Sequence, residues 1–315
     1  MPQEASMREA YGQTLLELGR ETPDIVVLDA DLSRSTMTEL FAREFPSRFF
    51  DCGVAEQNMV GIAAGLAASG KIPFASTFAV FAPGHCFDQI RMSIAQPRLN
   101  VKLVTTHGGI TVGEDGISHH AIEDLALMGS FPGFTVVVPA DAIETAQAVR
   151  AAAASYGPFY IRLCRPKTPL VYGEDYRFQL GKAVTMRQGR DATIIAMGLM
   201  VTEALRAAEN LKREGLDCRV LNMPTLKPID EAAIIQAAVE TGAIVTAEEH
   251  LEHGGLGSEV ALRIAKHHPV PMESIAIKDI YAKSGKPREL LERYGLTARD
   301  IEQAVRSVIR KRQPA

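Results

Sequence analysis

The chain has 315 residues, 46% apolar and 23% charged, with a formal net charge of -4; the length exceeds one ordinary domain, and the composition is that of an average globular protein rather than a disordered, fibrous or membrane one. Acids and bases are interspersed and only Arg310 to Arg312 gathers positive charge, so neither nucleic acid nor a lipid surface is an expected partner. Apolar stretches break well short of a membrane span and the N-terminus lacks a secretory-signal pattern, which leads to the expectation of a cytoplasmic protein that does not enter a membrane.

In chain order, helical spacing of apolar residues predicts a helix over 7–20, and a β-branched run predicts a buried strand over 25–30, ending beside Asp29 and Asp31. A helix over 38–45, a strand over 48–52, a helix over 55–69, a strand over 72–77 and a helix over 81–95 follow. Further strands are expected at 101–105, 135–139 and 159–163; strands spaced by helices imply right-handed crossovers and a mostly parallel sheet. Segment 165–181 holds Pro166, Pro169, Gly173 and Gly181 without sustained periodicity, and reads as a connection between two domains, 1–170 and 171–315. The second unit has expected strands at 193–197, 219–222, 244–248 and 274–277 and helices at 201–214 and 256–266, with Gly215 suited to cap the first of these helices. The fold class is therefore α/β: two α/β domains with mostly parallel sheets.

Ligands of open parallel sheets sit beyond the carboxyl ends of the strands, which directs attention to the loops 29–36, 53–57, 77–84 and 106–120. Glu56 opens a helix directly after a strand, and Gly61 and Gly65 on one face would let that helix approach a neighbour closely. A buried interface carboxylate and a plain helix-dipole acid both account for it. Phe78 and Phe81 suit either a pocket wall or core packing. Segment 105–120 gathers His107, Glu114, Asp115, His119 and His120 among Gly108, Gly109, Gly113 and Gly116, a loop too long and polar to be a plain connection. His119, His120, Glu123 and Asp124 are close in sequence, but adjacent histidines point apart, and no metal site is expected there. Cys52, Cys86, Cys164 and Cys218 are far apart with no Cys-x-x-Cys pair, as reduced structural thiols would be.

Taken together, Asp51-Cys52-Gly53-Val54-Ala55-Glu56-Gln57-Asn58, residues 76–81 and residues 106–119 resemble the pyrimidine-binding domain of transketolases, with the three motifs in family order and spacing. The second unit is similar to the family's C-terminal domain, including Glu248-Glu249-His250 and Gly254-Gly255-Leu256-Gly257. The resemblance implies thiamine diphosphate as cofactor. Glu56 corresponds to the glutamate that hydrogen-bonds its aminopyrimidine and, by sharing a proton, drives that ring to the tautomer able to activate the thiazolium. Phe78 and Phe81 match the aromatic residues against the pyrimidine, Asp31 an acid near the thiazolium, and His107 and His119 the substrate-facing histidines that shuttle protons. Asp115 matches an acid that reads a donor hydroxyl; Arg165 and Ser35 match phosphate holders. At Gly84 many members carry a third aromatic, which leaves that pocket open or completed otherwise. His250 and His253 fall in a loop near the domain interface without a role, and His85, His120, His267 and His268 have no motif support.

The family's Gly-Asp-Gly and Asn ligands for Mg2+ have no counterpart here, so the resemblance implies that a separate N-terminal transketolase subunit carries the Gly-Asp-Gly motif and holds the ion. The expected enzyme is the C-terminal subunit of a split transketolase moving a two-carbon ketol unit from a phosphorylated ketose to an aldose. A site shared between two chains implies an even-numbered hetero-oligomer such as alpha2beta2. Competing readings are a deoxyxylulose-phosphate-synthase-like or pyruvate-dehydrogenase-beta-like subunit, and a non-catalytic, partner-binding paralogue; His107 and Gly113-Glu114-Asp115-Gly116 favour transketolase.

Overall fold

The computed structural model describes residues 3–312. Two open sheets carry the fold. The larger has seven strands, in the spatial order Thr225–Lys227, Thr135–Val137, Phe159–Arg162, Lys102–Thr106, Ile72–Phe78, Ile25–Asp29 and Phe49–Asp51. All its pairings are parallel except that of Thr225–Lys227 with Thr135–Val137. The central strands Ile25–Asp29 and Lys102–Thr106 are buried throughout, as strands covered by helices on both faces must be.

The second sheet has five strands, Met272–Ile277, Ile244–Leu251, Ala192–Ala196, Cys218–Asn222 and Val184–Arg187, only the last of them antiparallel to its neighbour. Helices Met200–Arg213 and Ala298–Arg312 pack with it around a core that includes Ile194, Val220, Val245 and Val305. The α/β class with mostly parallel sheets therefore holds.

Several elements differ from the sequence expectation. Thr225–Lys227 leaves the second unit to extend the first sheet, where Leu226 is buried and the Lys227 amine donates to the carbonyls of Gly129 and Phe131 at 2.8 and 2.7 Å. The predicted connection is itself tethered: Thr168–Pro169 pairs with Glu4–Ala5, and Asp141 accepts from the backbone of Val171 and Tyr172. The helix expected over 81–95 is broken, with Cys86 at non-helical angles (φ -121°, ψ 17°) and the stretch Ile90–Ala95 wound as a π-helix. The helix expected over 38–45 is Glu39–Glu44, preceded by the single turn Ser33–Thr36. The strand expected over 244–248 continues to Leu251, so Glu249 and His250 lie in a buried strand rather than a loop. Their polarity mimics a loop because the sequence does not show their partners.

Candidate functional site

The carboxyl ends of Ile25–Asp29, Ile72–Phe78, Lys102–Thr106 and Phe159–Arg162 share one edge of the large sheet, and the candidate residues gather along it. Asp29 is fully buried and organises the first loop: it accepts from Leu32 N at 2.6 Å and from the hydroxyls of Thr36 and Thr38 at 2.7 and 2.9 Å. Burial pushes its carboxyl up to about 6 against the pull of these donors. In the loop so shaped, Ser35 turns its carbonyl to Arg8 Nη1 at 2.8 Å. Asp31 adopts a left-handed conformation (φ 61°), and its N–H donates to Asp51 Oδ1 at 3.1 Å.

Arg8 was not foreseen from the sequence, although a signal exists. Helix Met7–Glu21, capped by Ser6, places a guanidinium in its first turn, where the helix dipole disfavours a cation unless an anion is close. Burial lowers Arg8 from its ordinary range, the nearby Arg165 charge adding to this, and Arg8 Nε is buried without a partner among the described residues.

Glu56 begins helix Glu56–Ala68 and is 7% exposed. Among the described residues its carboxylate enters no hydrogen bond or ion pair, while next to it Gln57 Nε2 donates to the His85 carbonyl at 2.9 Å. Burial and the Glu56 charge hold the Cys86 thiol up at about 12, which places that carboxylate near the helix bearing Phe81 and His85. The Phe78 and Phe81 rings stack with centroids 5.7 Å apart; His107 covers Phe78 at 3.9 Å and His85 covers Phe81 at 5.1 Å. His119 stands edge-on to Phe78 and Phe81 at 6.0 and 5.4 Å. A Cβ at Gly84 would meet nothing within 4 Å, so the space left there is open, and His85, one residue on, adds the third ring to the stack.

The loop from His107 to His120 is built on close approaches. His107 has a left-handed backbone (φ 62°) and its Nδ1 lies 2.8 Å from the Thr106 hydroxyl. A Cβ on Gly108 would sit 2.5 Å from Arg162 Nε, and one on Gly109 would collide with the Glu249 carboxylate, so both positions demand glycine. Burial, reinforced by the charges of Arg8, Arg165 and His119, holds the His107 imidazole down at about 3. Arg165 Nη1 donates to the Val112 carbonyl and lies 3.3 Å from Asp115 Oδ2. His119 Nδ1 is 2.9 Å from the Ser118 hydroxyl.

The structure thus brings Phe78, Phe81, His107 and His119 into one ring cluster, with Arg8 and Arg165 near His107, Ser35 on Arg8 and Asp115 on Arg165. Asp31 is tied instead to Asp51. A flat, hydrogen-bonding heterocycle fits the rings and the unpartnered, solvent-reachable carboxyl of the largely buried Glu56. No group of three or more His, Cys, Asp or Glu is arranged to hold a metal ion among the described residues. His250 is fully buried in its strand.

Residues 3–170 match the transketolase pyrimidine binding domain and residues 181–301 the transketolase C-terminal domain. A Methanocaldococcus jannaschii protein described as a transketolase C-terminal section is 47% identical over 308 residues, covering 97% of this chain and 96% of its own length. The 6-deoxy-6-sulfo-D-fructose transketolase subunit of a Clostridium species is 42% identical over 306 residues, covering 97% and 95%. Human transketolase is 42% identical over 308 residues, but the match covers 96% of this chain and 49% of the human protein. Among solved structures, a split gene transketolase described as an inactive beta4 tetramer superposes with a TM-score of 0.92 at 51% identity, covering 98% and 99% of the two chains.

Proposed function

The chain belongs to the transketolase family as its C-terminal section, and from that premise we propose that it supplies the activating carboxyl and the substrate loop of a two-chain ketol transferase. The observation that carries this reading is Glu56, a largely buried residue whose carboxyl has no protein partner among the described residues and keeps some access to solvent, on the helix tied to the one bearing Phe81 and His85. Thiamine diphosphate, when bound, supplies the nucleophilic carbon that accepts the two-carbon unit. With the cofactor bound, Glu56 would share a proton with its pyrimidine, Phe78 and Phe81 would wall that ring, and Asp31 would face the thiazolium side. His107, held as a neutral imidazole, and His119 exchange protons with the sugar hydroxyls and carbonyl. Asp115 reads a donor hydroxyl. Arg165, Ser35 and Arg8 form the anion-binding end of the site, suited to the phosphate of a phosphorylated ketose.

An N-terminal subunit carrying the Gly-Asp-Gly motif holds Mg2+ and the diphosphate in this reading. Its docking face is supported by helix Glu56–Ala68 and the turn before it: Val54 in that turn and Ile62 on the helix are 80% and 37% exposed, and Cβ atoms at Gly61 and Gly65 would meet no neighbouring element within 4 Å among the described residues. An apolar, small-residue face beside a buried carboxyl suits close approach by another polypeptide. The relative described as an inactive beta4 tetramer supports the need for that subunit. An even-numbered hetero-oligomer such as alpha2beta2 follows from sharing each site between two chains, the free cysteines suit a reducing cytoplasm, and the division into units 1–170 and 171–315 belongs to the same reading.

The test is reconstitution. The chain alone, given thiamine diphosphate and Mg2+, should not transfer a ketol unit; adding the N-terminal subunit should switch transfer on. Replacing Glu56 by Ala should abolish it in the assembled complex, and full turnover by that variant would refute the carboxyl's role.

A further inference from the structure

Glu248, Glu249 and His250 are 1%, 4% and 0% exposed, and each serves a different client. Glu248 stays within its own unit, accepting from Leu256 N and Gly257 N at 2.7 and 2.8 Å at the start of helix Leu256–His267, where the helix dipole favours an anion. Glu249 reaches the other unit: its Oε1 accepts from Thr111 N at 2.6 Å, and its carboxylate fills the space a side chain at Gly109 would need. His250 Nε2 accepts from Ala126 N at 3.3 Å, and the following Leu251 N donates to Ile122 O at 2.8 Å.

Arg162, from the large sheet, completes the arrangement. Its Nη2 donates to the carbonyls of Glu249 and Ala121, both at 2.9 Å. Its Nε lies 3.0 Å from Asp124 Oδ2 without its N–H being aimed there, so that contact is one of charge; the same oxygen accepts from Tyr160 OH at 2.7 Å. Gly108 lies against the Arg162 side chain and Gly109 N donates to Ala121 O at 2.8 Å. Both stems of the loop bearing His107, Asp115 and His119 are thus fastened to one buried cluster. Removing one partner from such a cluster costs more than the pair contributes, because the other is left unsatisfied.

We propose that Glu249, with Arg162, is a positioning residue for the substrate loop, so that the geometry of His107, Asp115 and His119 is set by a carboxylate of the second unit. This rests on the reading of that loop as substrate-binding. Glu249 touches no reacting atom; it acts through Thr111 and Gly109.

Two readouts separate positioning from general stability. In Glu249→Ala, amide hydrogen exchange of residues 107–121 in the full chain should accelerate about tenfold, the loss of one hydrogen bond to a charged group, while strands Ile72–Phe78 and Ala192–Ala196 keep their protection. In the reconstituted complex the KM for the ketose donor should rise about as much, with kcat falling less. Glu249→Gln, which keeps a carbonyl oxygen for Thr111 N, should recover most of both. If Glu249→Ala does not fold, Glu249→Asp, which keeps the carboxyl but draws it back from Thr111 N, should give the same signature in weaker form. Unchanged loop exchange, or loss of protection across both sheets together, overturns the proposal. The exchange arm needs no cofactor, so failure of the thiamine reading would appear separately, as absent ketol transfer by the unsubstituted complex.

Discussion

Arg165 Nη1 and Asp115 Oδ2 stand 3.3 Å apart, joining a strand-end cation to an acid of the loop from His107 to His120. Their side chains are 37% and 43% exposed, so the contact itself contributes no more than about 1 kcal/mol. A weak pair of this kind opens for a ligand without large cost. In the proposed site an incoming phosphate would take the guanidinium while a sugar hydroxyl would take the carboxylate.

Arg165→Ala should therefore act on binding more than on chemistry. The expected result in the reconstituted complex is a rise of roughly tenfold or more in KM for a phosphorylated ketose, the magnitude of one charge-assisted hydrogen bond. KM for the same sugar without its phosphate should change little. Arg8→Ala should show the same selectivity, because Arg8 lies near Arg165 and on the Ser35 loop. Equal losses with charged and uncharged donors would remove both arginines from the anion site.

His107 is held at about 3 by burial and by the neighbouring positive charges, so it stays neutral across the working range. Its ring signals should not titrate between about pH 5.5 and 8.5 when followed by NMR, with His107→Asn identifying them. Asn also tolerates the left-handed backbone at this position. The sign for stability follows from the same shift. The unfolded imidazole takes up a proton that the folded one refuses, so its contribution is full above the unfolded value near 6.5 and is lost as pH falls from there toward 3. His107→Asn should flatten that acid limb in a denaturant titration series.

Glu144 has the opposite sign. It accepts from Ala140 N at 2.7 Å, Tyr176 OH at 2.6 Å and Asn222 Nδ2 at 2.9 Å, joining helix Ala142–Ala154 to the connection and to the second sheet. Burial nonetheless pushes its carboxyl up from 4.5 to about 7. A raised carboxyl favours the protonated, folded form. Its contribution, on the order of 3 kcal/mol at most, is present below the unfolded value and is lost as pH rises through 7. Glu144→Gln should leave stability at pH 5 nearly unchanged and reduce its decline toward pH 8. An unaltered decline in that variant would assign the pH dependence to other groups.

The architecture was legible where local pattern and environment agree. Short β-branched runs such as 25–29 and 101–106 are buried on both faces, and glycines and prolines punctuate the helices between them, so the alternation is written in the sequence. The family motifs likewise pointed to Glu56, Phe78, Phe81 and His107. What stayed hidden depends on distant partners. Nothing near Thr225 announces that its strand joins Thr135–Val137, because an antiparallel edge pairing is a long-range event. Glu249 and His250 looked like loop residues because a buried polar strand is recognisable only once Thr111, Arg162 and Ala126 face it. Arg8 was the exception, since a cation in the first turn of a helix is visible without coordinates.

The ring tier makes the remaining prediction. Phe81 stacks with Phe78 and with His85, while Gly84 leaves open space beside them. The three rings are near parallel, at 18° and 11°, so the tier offers flat surface that another planar ring can extend. Offset stacking contributes about 0.5–1.5 kcal/mol per ring pair beyond its burial, or about two- to tenfold in affinity. Phe81→Leu retains apolar bulk and removes the π face. In the reconstituted complex it should weaken thiamine diphosphate by about that factor in a direct binding titration, with the secondary structure intact by circular dichroism. His85→Phe should preserve the affinity and His85→Ala reduce it, because the ring and not the imidazole nitrogen supports the stack. Tighter binding by His85→Ala would mean that His85 occupies the face the pyrimidine needs, and the tier would then be a plug that the cofactor displaces.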